Sequence, residues 1–173
     1  MQDKLQELIL YISQKCEDDP KFSDTKLNKI LFLADFRAYG YWGRSITGSQ
    51  YFHNHHGPTS RAMVPARNKL EEAERFHMEE RPYFGQKQNR PIATANPNLA
   101  LFDKEEIELV DQIIEEFWHY TATQLSEETH TYVPWLTTEQ GEDIPYETIF
   151  VLKKTPASKA DMLWAQKVLT EIE

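Results

Sequence analysis

The sequence predicts a compact, mainly helical α+β domain of about five helices with one small antiparallel β-hairpin element. Apolar residues recur at helical spacing in several separate stretches, and proline and glycine lie mainly between those stretches. Short segments on either side of Gly85, within residues 77–98, favour a hairpin instead. Its 173 residues are 40% hydrophobic and 12% aromatic, which is typical of a globular chain, so we expect one domain over residues 1–173.

Two helices are predicted in the N-terminal quarter of the chain. The first should cover Asp3–Cys16, where one face carries Leu5, Leu8, Ile9 and Ile12. The second begins after Ser23, a favourable N-cap, and ends near Gly40 or Gly43, because glycine tolerates the left-handed turn that closes a helix. It is apolar around most of its circumference, which indicates a buried central helix with these inward residues: Leu27, Ile30, Leu31 and Ala34.

The middle of the chain combines extended and helical segments. A short extended piece is predicted over Gln50–His53, before the break at Gly57-Pro58. Pro65 is typical of a first helical position, where its missing N–H costs nothing, and this third helix should continue to about Phe76. The hairpin follows it.

The C-terminal half contains more helices. Asp103 and Glu106 form a capping-box pattern that starts a fourth helix with an apolar face. A shorter helical piece is expected over Ala122–Thr129, a polar loop over Thr137–Tyr146, and a last helix N-capped by Ser158.

Charge is distributed unevenly along the sequence. The chain carries a net charge of −9, but residues 26–90 carry +5 while residues 1–25 and 91–173 carry −3 and −11. An acidic chain disfavours general affinity for nucleic acid, because such binding neutralises phosphates with basic side chains. The basic middle segment leaves open a charged face for docking a protein partner.

Compartment and membrane signals point to the cell interior. Cys16 is the single cysteine, so no intrachain disulfide is possible, and a reducing compartment is indicated. The N-terminal sequence lacks the features of a secretory signal, and no stretch approaches about 20 consecutive apolar residues. We therefore expect a soluble, cytoplasmic protein that does not contact a membrane.

Catalytic and metal signals are weak. On a strand, His53 and His55 would face the same side, as two metal ligands must, and His130 is a possible third ligand. A small metal-binding protein or hydrolase using this cluster is therefore one alternative. No HExxH, CxxC or GxSxG motif supports it, so a surface or hydrogen-bonded histidine cluster is favoured, and we expect no enzyme, no cofactor and no metal.

A nucleic-acid binder is a further alternative. A third helix followed by a hairpin is similar to a winged helix, and three basic side chains could then face a groove: Arg67, Lys69 and Arg75. Acidic side chains on the same short helix make nucleic acid an improbable partner: Glu71, Glu72 and Glu74.

One run of residues resembles a known family. The segment KLNKILFLADFRAYGYWGRSITGSQYFHNHHGP, from Lys26 to Pro58, is similar to the signature of Panacea domains, which include SocA-like antitoxins and phage-associated GepA-like proteins. The later elements Leu125-Ser126, Thr129-His130 and Trp135 resemble the second cluster of that family. The resemblance covers roughly residues 4–150. It departs from the family pattern after Pro58, where the step to Val64 is longer than usual.

The resemblance implies an antitoxin that neutralises a cognate protein toxin by direct protein–protein contact. Some members of the family are also adaptors that deliver a toxin to a protease. Many carry an additional helix-turn-helix domain, for which we expect no room in this chain, so the resemblance does not imply regulation of its own operon.

Candidate partner-binding residues follow from the resemblance and from the dense mixture of aromatic and basic side chains, since aromatics and arginine are favoured at interface hot spots. They are Lys26, Lys29, Arg37, Tyr51, His53, Gly57, Pro58, His130 and Trp135. For His130 and Trp135 a structural role is favoured over partner contact: they would fix the C-terminal elements onto the second helix through a hydrogen bond and ring packing.

Overall fold

The computed structural model describes residues 2–151, which form six α-helices and two small antiparallel sheets. The helices are α1 (Gln2–Lys15), α2 (Asp24–Trp42), α3 (Met63–Glu72), α4 (Lys104–Glu116), α5 (Ala122–His130) and α6 (Val133–Leu136). The strands are β1 (Tyr51–Phe52), β2 (Thr59–Ser60), β3 (Phe76–Tyr83), β4 (Gln86–Ala93) and β5 (Asp143–Ile144). The predicted α+β, mainly helical class is confirmed. The helix predicted after Ser158 lies outside the described residues.

The central element is α2, in which 12 of 19 residues are buried. The Ser23 hydroxyl accepts a hydrogen bond from the Lys26 N–H, and Gly43, at φ +68°, donates its N–H to the Tyr39 carbonyl at 2.8 Å. Both predicted ends of the helix are therefore confirmed, with Gly43 rather than Gly40 as the last-turn glycine. The predicted inward residues are all fully buried: Leu27, Ile30, Leu31 and Ala34.

The first sheet has the strand order β2-β1-β5, and all of its pairs are antiparallel. Tyr51 pairs with Ser60 on one side and with Ile144 on the other. The prediction of a polar loop over Thr137–Tyr146 is wrong at β5, where Ile144 is buried. The strand depends on pairing with a segment about 90 residues earlier, which leaves no local pattern in the sequence.

Helix α3 ends, and the hairpin begins, earlier in the sequence than predicted. Helix α3 begins at Met63, so Pro65 is its third residue, and it ends at Glu72. Phe76 was expected to end this helix but instead begins β3 and is buried. The reversal occurs at Glu74, which has φ +55°, a conformation that is unusual for a residue other than glycine.

The second sheet is the predicted hairpin, formed by β3 and β4 alone. Its register runs from Phe76 opposite Ala93 to Tyr83 opposite Gln86. From the middle of β4, the buried Arg90 donates hydrogen bonds to carbonyls of the segment that follows α1, including those of Asp19 at 2.7 Å and Glu17 at 2.5 Å. This guanidinium attaches the hairpin to the connection between α1 and α2.

Helix α4 covers the other side of the core. The predicted capping box is present, since the Asp103 carboxylate accepts a hydrogen bond from the Glu106 N–H and the Glu106 carboxylate accepts one from the Asp103 N–H at 3.0 Å. Glu106 is buried and is also bonded to Lys4 of α1 and to Arg44 after α2, each at 2.8 Å. One carboxylate thus joins three segments of the chain.

Among the residues that the structure describes, no helix combines the length and apolar character required to span a membrane.

Candidate functional site

Five of the nine candidate partner-binding residues are buried: Lys26, Lys29, Tyr51, Gly57 and Pro58. The first three are each only 1% exposed, so the expectation that these residues present an accessible surface is wrong. The sequence pattern alone does not show which basic and aromatic side chains are buried. A buried polar group has hydrogen-bond partners, and here those partners are distant in sequence.

Lys26 forms a buried ion pair. Its Nζ lies 2.7 Å from Asp19 Oδ2 and donates to the carbonyls of Trp118 at 3.0 Å and Tyr120 at 2.9 Å. All three donors of the ammonium are therefore used, as a buried charge requires. The lysine binds α2 to the segment that follows α4.

Lys29, one turn later, is in a different environment. Its Nζ donates to the Pro58 carbonyl at 2.9 Å, and it forms no salt bridge within the described part of the chain. Burial lowers the pKa of Lys29 to about 7, and the carboxylate of Asp24 opposes this only in part. A lysine amine that changes charge near neutral pH thus lies beneath the Gly57-Pro58 turn.

Gly57 is required at this turn by both conformation and space. Its φ is +92°, and a Cβ atom on it would lie 2.9 Å from Lys29 Nζ and 3.1 Å from His130 Nε2. A side chain would thus clash with two buried polar groups as well as strain the backbone. The Gly-Pro element of the sequence is where α2, the turn after β1 and the end of α5 meet.

An aromatic stack continues the cluster. The ring of Trp135 stacks on His130, with centroids 4.2 Å apart, and on His53, with centroids 4.1 Å apart. His53 Nδ1 lies 3.2 Å from Thr138 Oγ1. We call the group formed by Lys29, His53, Gly57, Pro58, His130 and Trp135 the Gly57 clasp; it joins α2, the turn after β1, α5 and α6.

The clasp agrees in part with the structural role predicted for His130 and Trp135. The ring packing is present, but neither His130 Nε2 nor Trp135 Nε1 has a hydrogen-bond partner among the described residues, although both atoms are buried. The pKa of His130 is lowered because burial and the nearby Lys29 both disfavour the imidazolium.

Arg37 is half-buried and joins α2 to α4 and to the turn between α5 and α6. It forms two hydrogen bonds with the Glu116 carboxylate, at 2.5 and 3.0 Å, and one with the Tyr132 hydroxyl at 2.8 Å. These bonds raise the pKa of the guanidinium, which is charged at any physiological pH. Any contribution of Arg37 to a partner would come from the exposed edge of this network.

Sequence reasoning missed the buried Asp35. Its carboxylate accepts hydrogen bonds from the Thr47 N–H at 2.7 Å, the Thr47 hydroxyl at 2.5 Å and the Tyr51 hydroxyl at 2.8 Å. Burial raises the pKa of Asp35, and these bonds oppose the rise. A signal was available, since Asp35 is the only charged residue in the apolar run Ile30–Phe36. Its network fixes the start of the segment that leads to β1.

The metal alternative is not supported by the arrangement of the histidines. His53 is stacked on Trp135, whereas His55 and His56 are exposed and contact each other. Across residues 2–151, no group of three or more potential ligand side chains is placed to hold a metal ion.

Two of the three basic side chains on which the nucleic-acid alternative depends are paired with carboxylates of the same chain. Arg67 is paired with Asp24, and Arg75 forms two hydrogen bonds with Glu7, at 2.6 and 2.9 Å. These guanidinium groups stabilise the fold and are neutralised by carboxylates, so they offer little to a phosphate backbone.

Comparison with known protein families finds a match over the region that contains the Gly57 clasp. A family model described as antitoxin SocA-like, Panacea domain matches residues 27–136, which include every residue of the clasp. No curated protein and no solved structure shows a significant match. Because the family model covers well over half of the 173 residues, the chain belongs to the SocA-like antitoxin family of Panacea domains.

Proposed function

We propose that this chain is an antitoxin that neutralises a cognate protein toxin by direct protein–protein contact, without catalysis. The observation that carries the proposal is membership of the SocA-like family over residues 27–136. The toxin and its antitoxin would meet inside the cell.

The geometry of the motif residues supports a binding function. Lys29, Gly57 and Pro58 are buried, and the partly exposed rings of His130 and Trp135 stack on each other beside them, so the motif acts as a packed frame. A rigid frame lowers the entropy lost when two proteins associate, because fewer groups become ordered in the complex. Recognition would then depend on surface side chains around it.

Part of the predicted contact surface is compatible with the structure. Arg37, His53, His130 and Trp135 are all partly exposed, and we propose that their accessible edges contact the toxin. Next to them, a cavity of about 370 Å³ is lined by side chains that include His55, His56 and Glu127. The uneven charge of the sequence would accelerate association with a partner of complementary charge more than it would strengthen the complex.

Co-expression tests the proposal directly. The product of the open reading frame adjacent to the gene should arrest growth when it is produced alone, and co-production of this chain should restore growth. The two purified proteins should form a complex of defined stoichiometry in sedimentation experiments. A toxic neighbour that is neither rescued nor bound would contradict the proposal.

The lifetime of the toxin separates direct blocking from delivery to a protease. If contact alone neutralises the toxin, the amount of toxin after translation is stopped should be the same with and without this chain. A shortened lifetime, restored when the protease is removed, would identify the chain as an adaptor instead.

A further inference from the structure

The tip of the β3–β4 hairpin carries an aromatic side chain that the described fold does not use. Phe84 is 91% exposed, and its ring contacts that of the preceding Tyr83 at a centroid distance of 4.8 Å. A single exposed apolar side chain is ordinary on a protein surface, but an aromatic ring at a projecting tip has the chemistry that interface hot spots favour.

The backbone at Phe84 is also unfavourable for this residue. Phe84 has φ +46° and Gly85 has φ +78°, so both central residues of the turn have positive φ. Turns of this kind favour Asn-Gly, Asp-Gly or Gly-Gly, and a bulky residue at the first position is an outlier. Phe84 thus combines an exposed aromatic ring with local strain, and nothing in the described fold compensates for either.

The hairpin holds this ring on a stiff support. Its eight residue pairs run without a bulge from Phe76 opposite Ala93 to Tyr83 opposite Gln86, and Arg90, in the middle of β4, anchors the hairpin to the segment that follows α1. A preorganised support reduces the cost of ordering an interface, because the contacting side chain is already in place.

Binding through the edges of the hairpin is disfavoured. In an antiparallel pair closed by a two-residue turn, alternate residues direct their N–H groups outward, and the register places Pro82 and Pro91 at such positions. Proline has no N–H to donate, so each edge lacks a donor that an added strand would need. The tip is therefore the part of the hairpin suited to a partner.

Charges around the tip indicate the chemistry of that partner. On the strands, Glu79 pairs with Arg81 and Glu80 pairs with Lys87, so the support has little net charge. Beside the tip, Tyr83, Lys87 and Lys21 line a cavity of about 330 Å³, into which the N-terminal residues of α2 and α5 also face. Asp24, the acidic residue lining this cavity, is already paired with Arg67. Lys87 is already paired with Glu80, whereas the ammonium of Lys21 has no carboxylate partner among the described residues and its Nζ donates to the His119 carbonyl at 2.5 Å. The cavity thus suits a carboxylate that would pair with Lys21.

We infer that Phe84 is an anchor that inserts into an apolar pocket of the cognate toxin, and that an acidic side chain bordering that pocket enters the cavity beside Lys21. This inference rests on the proposed antitoxin function and identifies the surface that would perform it.

The decisive experiment compares substitutions at one position. Phe84→Asn removes the ring but suits a positive φ, so its melting temperature should equal or exceed that of the unaltered chain. Its affinity for the product of the adjacent open reading frame should fall at least tenfold, as expected for an aromatic hot spot, and rescue of growth should weaken. Phe84→Trp should bind within a few-fold of the unaltered chain.

Tyr41→Asn is the matched control, because Tyr41 is also a strongly exposed aromatic residue, at 69%, but lies at the C-terminal end of α2. It should leave affinity unchanged. The charged part of the interface is tested by Lys21→Gln, which should slow association at low salt and reduce its dependence on salt, with little change in dissociation.

Each remaining outcome is informative. If the unaltered chain binds and Phe84→Asn binds equally well, the inference is overturned while the antitoxin proposal stands. A lower melting temperature for Phe84→Asn would mean that the ring is covered by its own chain, and loss of a dimer would mean a second copy; either result overturns it. If the unaltered chain neither binds nor rescues, both proposals fall.

Discussion

Two lysines on one helix show how burial and partners together determine the role of a residue. Lys26 and Lys29 are one turn apart on α2 and equally buried, at 1% exposure. Lys26 faces the Asp19 carboxylate at 2.7 Å, whereas Lys29 faces the Pro58 carbonyl and His130. The same residue type thus forms a buried ion pair at one site and supplies a titratable amine at the other.

Replacing Lys26 should be severely destabilising. Lys26→Met leaves Asp19, which is 2% exposed, without its cation, and breaking a buried pair in this way costs about 3–5 kcal/mol. Urea unfolding measures the loss. The double variant Asp19→Asn with Lys26→Met removes the uncompensated charge and should recover part of the stability. A double variant no more stable than Lys26→Met would contradict this explanation.

Lys29 should make stability depend on pH just above neutrality. The pKa of Lys29 is about 7 in the folded protein, below its ordinary value of 10.5, so between these values the unfolded chain binds one more proton than the folded chain. Raising the pH therefore favours folding, by about 1.4 kcal/mol per pH unit at most. Urea unfolding at pH 7.0 and 8.5 should show a rise of roughly 1–2 kcal/mol.

Lys29→Met supplies the comparison for this prediction, since it preserves length and removes the titrating amine. The rise between pH 7.0 and 8.5 should be absent in the variant. The window ends below pH 9 because burial raises the pKa of Cys16 to about 12, and this thiol makes stability fall at more alkaline pH. An identical slope in both proteins would show that Lys29 is charged throughout.

At the scale of elements, the attachment of the hairpin depends on Arg90. Its guanidinium donates to four carbonyls, those of Cys16, Glu17, Asp19 and Phe22. Arg90→Ala leaves these buried acceptors unpaired and should cost about 2–4 kcal/mol, since hydrogen bonds to a charged group are worth roughly 1.5–3 kcal/mol each and do not add fully. Urea unfolding and amide hydrogen exchange in β3 and β4 measure the effect.

Arg90→Lys separates charge from geometry. A single ammonium has three donors and cannot reproduce the planar fork, so it should recover only a minor part of the loss. Full recovery by lysine would show that charge near the end of α1, rather than hydrogen bonding, holds the hairpin.

The elements themselves show what local sequence determines. Both ends of α2 and the capping box of α4 were predicted correctly because caps and periodicity are local signals. Strand β5 and the start of β3 at Phe76 were not, because they are stabilised by pairing and burial against distant segments. The motif residues of the clasp were identified, but their burial could not be, because it depends on contacts that span up to about 100 residues.

At the scale of the whole molecule, long-range contacts join both halves of the chain. Lys4 reaches Glu106, and Lys26 reaches the Trp118 carbonyl, across 102 and 92 residues. One contiguous apolar cluster includes side chains from α1, α2, α3, α4 and α5 and from strands of both sheets. Because these elements share one core, the unfolding of any one of them would expose apolar side chains of the others to water.

The chain should therefore unfold as one cooperative unit, as expected for the predicted single domain. In urea, far-UV circular dichroism reports mainly on the helices, and fluorescence reports on the surroundings of the four tryptophans, which include Trp42 at the end of α2 and Trp118 and Trp135 in the C-terminal half. The two transitions should coincide. Leu31→Ala, at a fully buried position of α2, should lower both midpoints together, at a cost of about 2–5 kcal/mol. Phe84→Asn, at the exposed hairpin tip, should lower neither. If the two probes gave separate midpoints, or if only one probe detected the Leu31→Ala shift, the chain would contain two folding units. In a single unit, the loss of one buried side chain lowers the stability of every element that packs on the shared core.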